Sequence, residues 1–339
     1  MKKILLFALP LMVMCAVSCE KDNKWTDDSP IIQFKDPYFL EAILEASHPI
    51  DRNADGQISE KEASVATILE VGSNNIRNID EIRYFTALKR LFCFGNQLTS
   101  LDVSNNTALT ELYCHENQLT ELDLSNNKAL EFLRCDNNQL TSLDVSNNTA
   151  LTLLYCYENQ LTSLDVSNNT ALTELDCDNN QLTSLDVSNN TALTLLYCHV
   201  NQLTELDLGN NKALEFLGCD NNQLTSLDVS NNTALIGLDC DNNQLTSLDV
   251  SNNTALTLLY CHENQLTSLD VSNNTALIKL YCHENQLTEL DLSNNKALEF
   301  LGCEKNPLKK IILYKYHMLS DASMKSIEEE YGDIIEYVE

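Results

Sequence analysis

The stretch that decides the fold is Leu109-Thr-Glu-Leu-Tyr-Cys114-His-Glu-Asn117-Gln-Leu119. Its spacing, L-x-x-L-x-C-x-x-N-x-L, returns 21 residues later from Leu130 and continues along most of the chain. Eleven cysteines mark the repeat, one every 21 residues from Cys93 to Cys303. A short repeat of fixed length predicts a solenoid, in which each repeat forms one turn and contacts only the neighbouring turns.

This spacing is that of a leucine-rich repeat. Each repeat has two similar halves, because Leu119-Thr-Glu-Leu-Asp-Leu-Ser-Asn-Asn127 fits the same template. The predicted fold class is an α/β repeat solenoid, a right-handed coil with a parallel β-sheet on its concave face. We assign residues 67–305 to the solenoid and residues 306–339 to a short α/β C-terminal cap. Within that cap, Ser320 to Glu336 is predicted to be helical from its apolar spacing.

The repeated cysteine occupies a position that the second half-repeat gives to leucine or valine. Side chains that recur every turn stack in a column about 4.8 Å apart, which is too far for disulfides and the wrong shape for tetrahedral zinc. We therefore expect reduced, buried thiols that pack as small apolar groups. This cysteine ladder resembles the internalin J-like family of bacterial surface leucine-rich-repeat proteins over residues 67–313. The resemblance is specific for the fold and implies a recognition or adhesion role only weakly.

The first residues carry a processing signal. Lys2-Lys3 precedes an apolar run from Ile4 to Val17 that is too short to span a bilayer. Ala16-Val-Ser-Cys19 is similar to the lipobox of bacterial lipoproteins, which implies cleavage of residues 1–18 and lipidation of Cys19. An ordinary secretory signal is the alternative. Residues 19–36 are polar and predict a flexible tether. We expect an outer-membrane lipoprotein of a Gram-negative-type bacterium, exposed at the cell surface.

Residues 37–66 predict an EF-hand-like helical cap. The stretch from Asp51 to Glu62 satisfies the loop rule D-x-[DN]-x-[DN]-G-x5-E, with Gly56 at the sharp turn. Oxygen ligands at alternate positions suit a hard cation. Because the loop stands alone, we predict one structural calcium ion; the alternative is an acidic loop without an ion. The predicted ligands are Asp51, Asn53, Asp55, Gln57, Ser59 and Glu62.

The residues on either side of each cysteine are predicted to point outward from the sheet. Tyrosines stand before the cysteine and histidines after it in several repeats, whereas the other half-repeat hardly varies. Exposed aromatic rings beside polar groups favour binding of a protein or a glycan; the alternative is a solvated sheet without a ligand. The predicted ligand-binding residues are Tyr113, His115, Tyr155, Tyr157, Tyr197, His199, Tyr260, His262, Tyr281 and His283.

Two further patterns concern cations. A His-Glu pair recurs on adjacent turns, at 262–263 and 283–284. Two such pairs could hold a transition metal, but copying of the repeat explains them as well, so no metal site is predicted there. Ten aspartates spaced 21 residues apart, from Asp102 to Asp291, form a second column. Mutual repulsion is expected to raise the pKa values of these aspartates unless cations gather there. We interpret the column as a solvated acidic spine that keeps the protein soluble; weak accumulation of cations is the alternative.

The composition limits the function. The chain has 339 residues, with 50 Asp and Glu against 21 Lys and Arg and a net charge of −29. This charge argues against nucleic acid as a partner and confines membrane contact to the lipid anchor. The sequence has no phosphate-binding glycine loop and no nucleophile elbow, so no enzyme is predicted. We expect a monomer that binds a protein or glycan ligand; the alternative is a structural envelope lipoprotein or scaffold without a dedicated ligand.

Overall fold

The computed structural model describes residues 27–339. Within them, one short strand per turn forms a twelve-stranded parallel sheet, and each strand pairs with the strand of the next turn. These strands are β1 (Ile68–Glu70), β2 (Arg90–Phe92), β3 (Glu111–Tyr113), β4 (Phe132–Arg134), β5 (Leu153–Tyr155), β6 (Glu174–Asp176), β7 (Leu195–Tyr197), β8 (Phe216–Gly218), β9 (Gly237–Asp239), β10 (Leu258–Tyr260), β11 (Lys279–Tyr281) and β13 (Phe300–Gly302). A parallel-strand solenoid is therefore confirmed.

Each turn buries the same set of apolar side chains. In one turn, at most 7% of the residue surface is exposed for Leu109, Leu112, Cys114, Leu119, Leu122 and Leu124. A fully buried leucine contributes about 1.5–3 kcal/mol, and the register places identical residues opposite each other, as Leu112 faces Leu133. The eleven ladder cysteines are free and buried, which agrees with the prediction that they pack as small apolar groups.

An asparagine ladder satisfies the backbone at the corner after the strands. Asn180 is typical, since its Nδ2 donates to the carbonyls of Cys156, Cys177 and Asp178 at 3.0–3.1 Å. Its Oδ1 accepts the backbone N–H of Leu161 at 3.0 Å. One side chain therefore ties two turns together through four hydrogen bonds.

A second asparagine ladder lies at the opposite corner and is less completely bonded. The Nδ2 of Asn190 donates to the carbonyls of Val166 and Asn169, at 3.0 and 2.9 Å. Its Oδ1 is buried without a hydrogen-bond partner among the described residues, as in the equivalent asparagines from Asn106 to Asn295. The side chain of Asn180 thus forms four hydrogen bonds, whereas that of Asn190 forms two.

The chain turns sharply two residues after each ladder cysteine. The residue there has a positive φ in every turn from Gly95 (63°) to Lys305 (55°). Asparagine, which tolerates this left-handed region, occupies four of these corners, at Asn137, Asn179, Asn221 and Asn242. Val200, with φ of 50°, is the β-branched exception, and such a residue is strained there.

Two helices precede the sheet, α1 (Pro37–Glu45) and α2 (Glu60–Val65). Asp36 caps α1 by accepting the backbone N–H of Tyr38 at 3.0 Å. The other carboxylate oxygen of Asp36 accepts the N–H groups of Arg77 and Asn78, at 2.6 and 3.2 Å. A single buried carboxylate therefore both starts the first helix and fastens it to the first turn of the solenoid.

The C-terminal end is covered by α3 (Asp321–Tyr331), whose Ile327 is fully buried. Ser323 Oγ accepts the N–H of Leu301 in β13 at 3.1 Å. The predicted helix from Ser320 to Glu336 is too long: a 3-10 turn follows α3, and the next residues form β15 (Ile335–Val338). β15 pairs with β14 (Lys310–Tyr314), and β14 also pairs with β12 (Glu289–Leu292). The three strands form a second, three-stranded sheet.

Candidate ligand face and calcium loop

The outward surface of the twelve-stranded sheet is called the strand face here. It consists of the first and third residues of each strand and the residue that follows each ladder cysteine. In β3 the middle residue, Leu112, is buried, whereas Glu111 and Tyr113 are half-exposed. The predicted tyrosines that precede a cysteine all lie at such third positions and are partly exposed: Tyr113, Tyr155, Tyr197, Tyr260 and Tyr281.

The first residue of each strand lies on the same face as the third, because side chains alternate along a strand. These first residues are not among the predicted ligand contacts. Phe132 is such a residue, and its ring continues a stack that starts at Phe92 and Tyr113. The ring centroids of Phe92 and Tyr113 are 4.5 Å apart, and those of Tyr113 and Phe132 are also 4.5 Å apart. Tyr155 meets Phe132 edge-on at 5.7 Å. These rings are held in place before any ligand arrives.

The residues after the cysteines do not form one uniform column. His115 is buried at 7% exposure, and its ring stacks on Phe94 at 4.8 Å. Tyr157 is partly exposed, but Arg134 donates to its hydroxyl at 3.0 Å and to Asp136 at 2.9 Å. His199, His262 and His283 are partly exposed. His115 therefore presents little surface to a ligand, although the sequence predicts it as a contact.

The middle of the strand face is an acidic cluster around His199. Asp178 Oδ2 lies 2.6 Å from His199 Nε2, and Asp220 Oδ1 lies 3.7 Å from Nδ1. Burial lowers the pKa of His199, but the hydrogen bond and charge of Asp178 outweigh this effect and the net shift is upward. Burial, together with neighbouring carboxylates, raises the pKa of Asp176 and of Asp239 to about 7. The charge of this cluster therefore changes near neutral pH.

A cavity of about 150 Å³ opens beside this cluster. It is lined by the rings of Tyr197, Phe216 and Tyr260 and by Asp239 and Gly237. A side chain at Gly237 would bring its Cβ within 2.9 Å of Phe216 Cδ1, so glycine leaves room for the ring. A cavity with aromatic walls beside a carboxylate suits a polar or cationic side chain of a ligand.

The C-terminal part of the strand face carries paired rings. The centroids of Tyr260 and Tyr281 are 5.3 Å apart, and the imidazoles of His262 and His283 stack at 4.3 Å with an interplanar angle of 20°. Burial lowers the pKa of both histidines. Burial therefore favours the neutral form of both rings.

The predicted aspartate column lies on another side of the solenoid, called the aspartate face. Each of the ten aspartates from Asp102 to Asp291 accepts the backbone N–H two residues later, as Asp165 accepts that of Ser167 at 2.9 Å. The side-chain and backbone hydrogen bonds of Ser167 lower the pKa of Asp165. The expectation that repulsion raises the pKa is wrong for eight of these aspartates, because local hydrogen bonds lower the pKa in spite of the charges one turn away: Asp102, Asp123, Asp144, Asp165, Asp186, Asp228, Asp249 and Asp270.

The predicted calcium loop is closed by its own side chains. Asp51 accepts the N–H groups of Asp55 at 3.2 Å and Gly56 at 2.9 Å, and Gly56 has a φ of 78°. The buried Glu62 accepts the N–H of Arg52 at 2.8 Å, so the last ligand position faces the beginning of the loop. The remaining predicted ligands are polar and lie in the same loop: Asn53, Asp55, Gln57 and Ser59. This all-oxygen donor set fits calcium chemistry.

Residues 30–32, which were predicted to belong to the flexible tether, form hydrogen bonds with the loop. Ile32 donates its N–H to the carbonyl of Ile58 at 2.9 Å, and Glu60 donates to that of Pro30 at 2.9 Å. Ile32 is buried, and Asp27 accepts a hydrogen bond from the Ser59 hydroxyl. The segment before α1 thus pairs with the exposed edge of the loop. Nothing in the local sequence pattern signalled this pairing.

Solved structures with a similar fold include internalins. The functional domain of InlJ from Listeria monocytogenes, which includes a cysteine ladder, has a TM-score of 0.76 and 42% identity over 80% of this chain and 60% of that one. The chain is similar to this internalin domain in fold and in its cysteine ladder. An internalin (inlF) from L. monocytogenes has a TM-score of 0.70 and 26% identity over 90% of this chain and 95% of that one. A leucine-rich-repeat protein of Leptospira interrogans shares the fold, with TM-score 0.62 and 21% identity over 78% and 82% of the two chains.

The chain spans 60% of the length of the InlJ domain that it matches. A family model described as the LVIVD repeat matches residues 135–159, which is little more than one turn. No curated protein matches the sequence. Among residues 27–339, none of the helices has the length and apolarity needed to cross a bilayer. Cys19, the predicted signal 1–18 and the beginning of the tether lie outside the described residues.

Proposed function

We propose that this protein is a lipid-anchored cell-surface recognition protein that binds a protein or glycan ligand on its strand face. The observation that carries the proposal is the contrast between two sides of the same coil. The strand face changes from stacked rings to a carboxylate cluster to paired rings, whereas the aspartate face repeats one motif. A varied surface with ordered aromatic rings buries area at a small entropic cost.

The cavity between Tyr197 and Tyr260 is a point of the strand face where a side chain of a ligand could insert. Its walls are aromatic, and Asp239 supplies a carboxylate. Asp176 and Asp178 extend the acidic cluster toward His199. We propose that a ligand inserts a polar or cationic group here and rests on the rings to either side. Binding, not catalysis, is the proposed activity.

The experiment compares two pairs of tyrosines. Tyr197→Ala with Tyr260→Ala removes the cavity walls, and Tyr38→Ala with Tyr316→Ala removes two exposed tyrosines, at 53% and 68% exposure, away from the strand face. Proximity labelling on intact cells and a glycan array read out binding. The first variant is expected to lose the partners of the unmodified protein, and the second to keep them. If the unmodified protein labels no partner and binds no glycan, the alternative is favoured, an envelope scaffold without a ligand.

The anchoring part of the proposal rests on Ala16-Val-Ser-Cys19. Cys19→Ser is expected to abolish incorporation of labelled fatty acid and to release the protein from the membrane fraction. Protease treatment of whole cells should remove the solenoid if it faces the exterior. Unchanged lipid labelling of Cys19→Ser would contradict lipidation at this residue.

We also propose that one calcium ion binds in the loop from Asp51 to Glu62 and holds the helical cap in place. Asp51, Asn53 and Asp55 would supply side-chain oxygens and Glu62 a carboxylate, with Gln57 offering its carbonyl and Ser59 a water-mediated contact. The paired segment at residues 30–32 supports a structural role, because it covers the loop edge that a second calcium-binding loop would otherwise use.

A further inference from the structure

Two adjacent turns bring His262, Glu263 and His283 together at the C-terminal end of the strand face. The register of β10 and β11 places Tyr260 opposite Tyr281, so the histidines two residues later also face each other. One ring nitrogen of each histidine and one carboxylate oxygen of Glu263 all lie within 4.8 Å of one another. Glu263 is exposed and follows His262 at the left-handed corner, with φ of 49°.

Of the two ring nitrogens of His262, one contacts a carboxylate and the other has no partner among the described residues. Its Nδ1 is buried and has no hydrogen-bond partner among the described residues. Its Nε2 lies 2.9 Å from Asp241 Oδ2, on the preceding turn. A carboxylate against one nitrogen of a histidine fixes the ring and makes the other nitrogen a better metal ligand. The fold therefore holds this imidazole in place while leaving one of its nitrogens unused.

The other candidate ligands nearby are already engaged. Glu284, the equivalent of Glu263 on the next turn, lies 2.5 Å from Lys305 Nζ. His199 occupies the same column but faces carboxylates on both neighbouring turns, Asp178 and Asp220, and no second imidazole. Copying of the repeat accounts for the two His-Glu pairs, but copying alone does not supply the contact between Asp241 and His262.

We infer that His262, Glu263 and His283 bind a transition-metal ion of the Zn²⁺ class, with Asp241 as a positioning residue. Two imidazoles and one carboxylate are a common zinc set, and three protein ligands leave a coordination position open toward solvent. At zinc–ligand distances of about 2.0–2.2 Å, tetrahedral ligand atoms lie about 3.3–3.6 Å apart. The three atoms, now within 4.8 Å of one another, must therefore approach by up to about 1.5 Å. Because Asp241 holds the ring of His262, rotation of the exposed Glu263 and of His283 supplies this movement. The site is separate from the calcium loop, which offers only oxygen.

The test is a titration of the purified full chain with Zn²⁺ at saturating Ca²⁺, followed by Co²⁺ as a spectroscopic probe. One equivalent of Zn²⁺ is expected to bind, and Co²⁺ should give visible absorption bands. His283→Gln and Glu263→Gln should each lose the bands and the tight site. Asp241→Asn should bind about 10–100-fold more weakly, as expected for loss of a histidine's partner. His199→Gln, the matched control in the same column, should bind like the unmodified protein.

Equal Zn²⁺ affinity of the unmodified protein and Glu263→Gln would overturn the site, and so would absence of binding or equal loss in His199→Gln. Glu263 is exposed, so its substitution tests the site even where a histidine variant folds poorly. The titration needs no partner molecule. Its failure would leave the proposed recognition function intact, and loss of ligand binding in the tyrosine variant would leave the metal site intact.

Discussion

At the scale of single residues, the left-handed corner after each ladder cysteine gives a clear prediction. Val200 adopts a φ of 50° where four other turns carry asparagine, and this region costs an L-residue roughly 1–2 kcal/mol. Val200→Asn should therefore raise the free energy of unfolding by about 1 kcal/mol, measured by denaturant unfolding. The reverse change one turn earlier, Asn179→Val, should lower it. Equal stability of all three proteins would refute the strain argument.

The two asparagine ladders predict unequal losses. Asn180→Ala leaves the N–H of Leu161 buried without its acceptor, and an orphaned buried donor costs about 1–3 kcal/mol. Asn190→Ala creates no such orphan, because the carbonyls of Val166 and Asn169 each keep a backbone N–H donor, and its own Oδ1 is already unpaired. Denaturant unfolding should show the larger loss for Asn180→Ala. A larger loss for Asn190→Ala would contradict this ranking.

At the scale of elements, the cap should depend on calcium. Glu62 is predicted to be the last calcium ligand and lies buried against the start of the loop. Chelation should lower the melting temperature of the chain and expose residues 37–66 to hydrogen exchange, because binding to the native state stabilises it. Glu62→Gln should melt at the chelated temperature with or without calcium. Glu60→Gln, the same change in the same helical turn at a position that is not a predicted ligand, should keep the calcium response.

The elements also show what the sequence could and could not predict. The coil and the buried cysteines were predictable because every turn repeats one environment, so a single template such as Leu109–Leu119 describes all of them. The strand at Ile335–Val338 was missed because its partner, β14, lies about two dozen residues away and leaves no local signal. The burial of His115 was missed because it depends on Phe94 in the preceding turn. The sequence-based predictions thus fail where a residue depends on a distant strand or on a side chain that differs between turns.

At the scale of the whole molecule, the acidic cluster should make stability depend on pH. Burial and nearby carboxylates raise the pKa of Asp176 and Asp239 to about 7 in the folded chain, whereas an unfolded aspartate has a pKa near 3.9. Between these values the folded state binds more protons than the unfolded state, so stability falls as pH rises through 7. The raised pKa of His199 acts in the same direction. The melting temperature is therefore expected to increase from pH 8 to pH 6.5.

Two matched pairs of substitutions can locate the aspartates that cause this pH dependence. Asp176→Asn with Asp239→Asn should raise the melting temperature at pH 8 and flatten its change down to pH 6.5, because the neutral amides mimic the protonated acids. Asp165→Asn with Asp186→Asn makes the same charge change on the aspartate face, where hydrogen bonds to serine lower the pKa of each aspartate. Those carboxylates stay ionised between pH 6.5 and pH 8, so the control should keep the slope of the unmodified protein. Parallel slopes in all three proteins would place the pH dependence outside the acidic cluster, whereas loss of the slope only in the strand-face pair would locate it around His199.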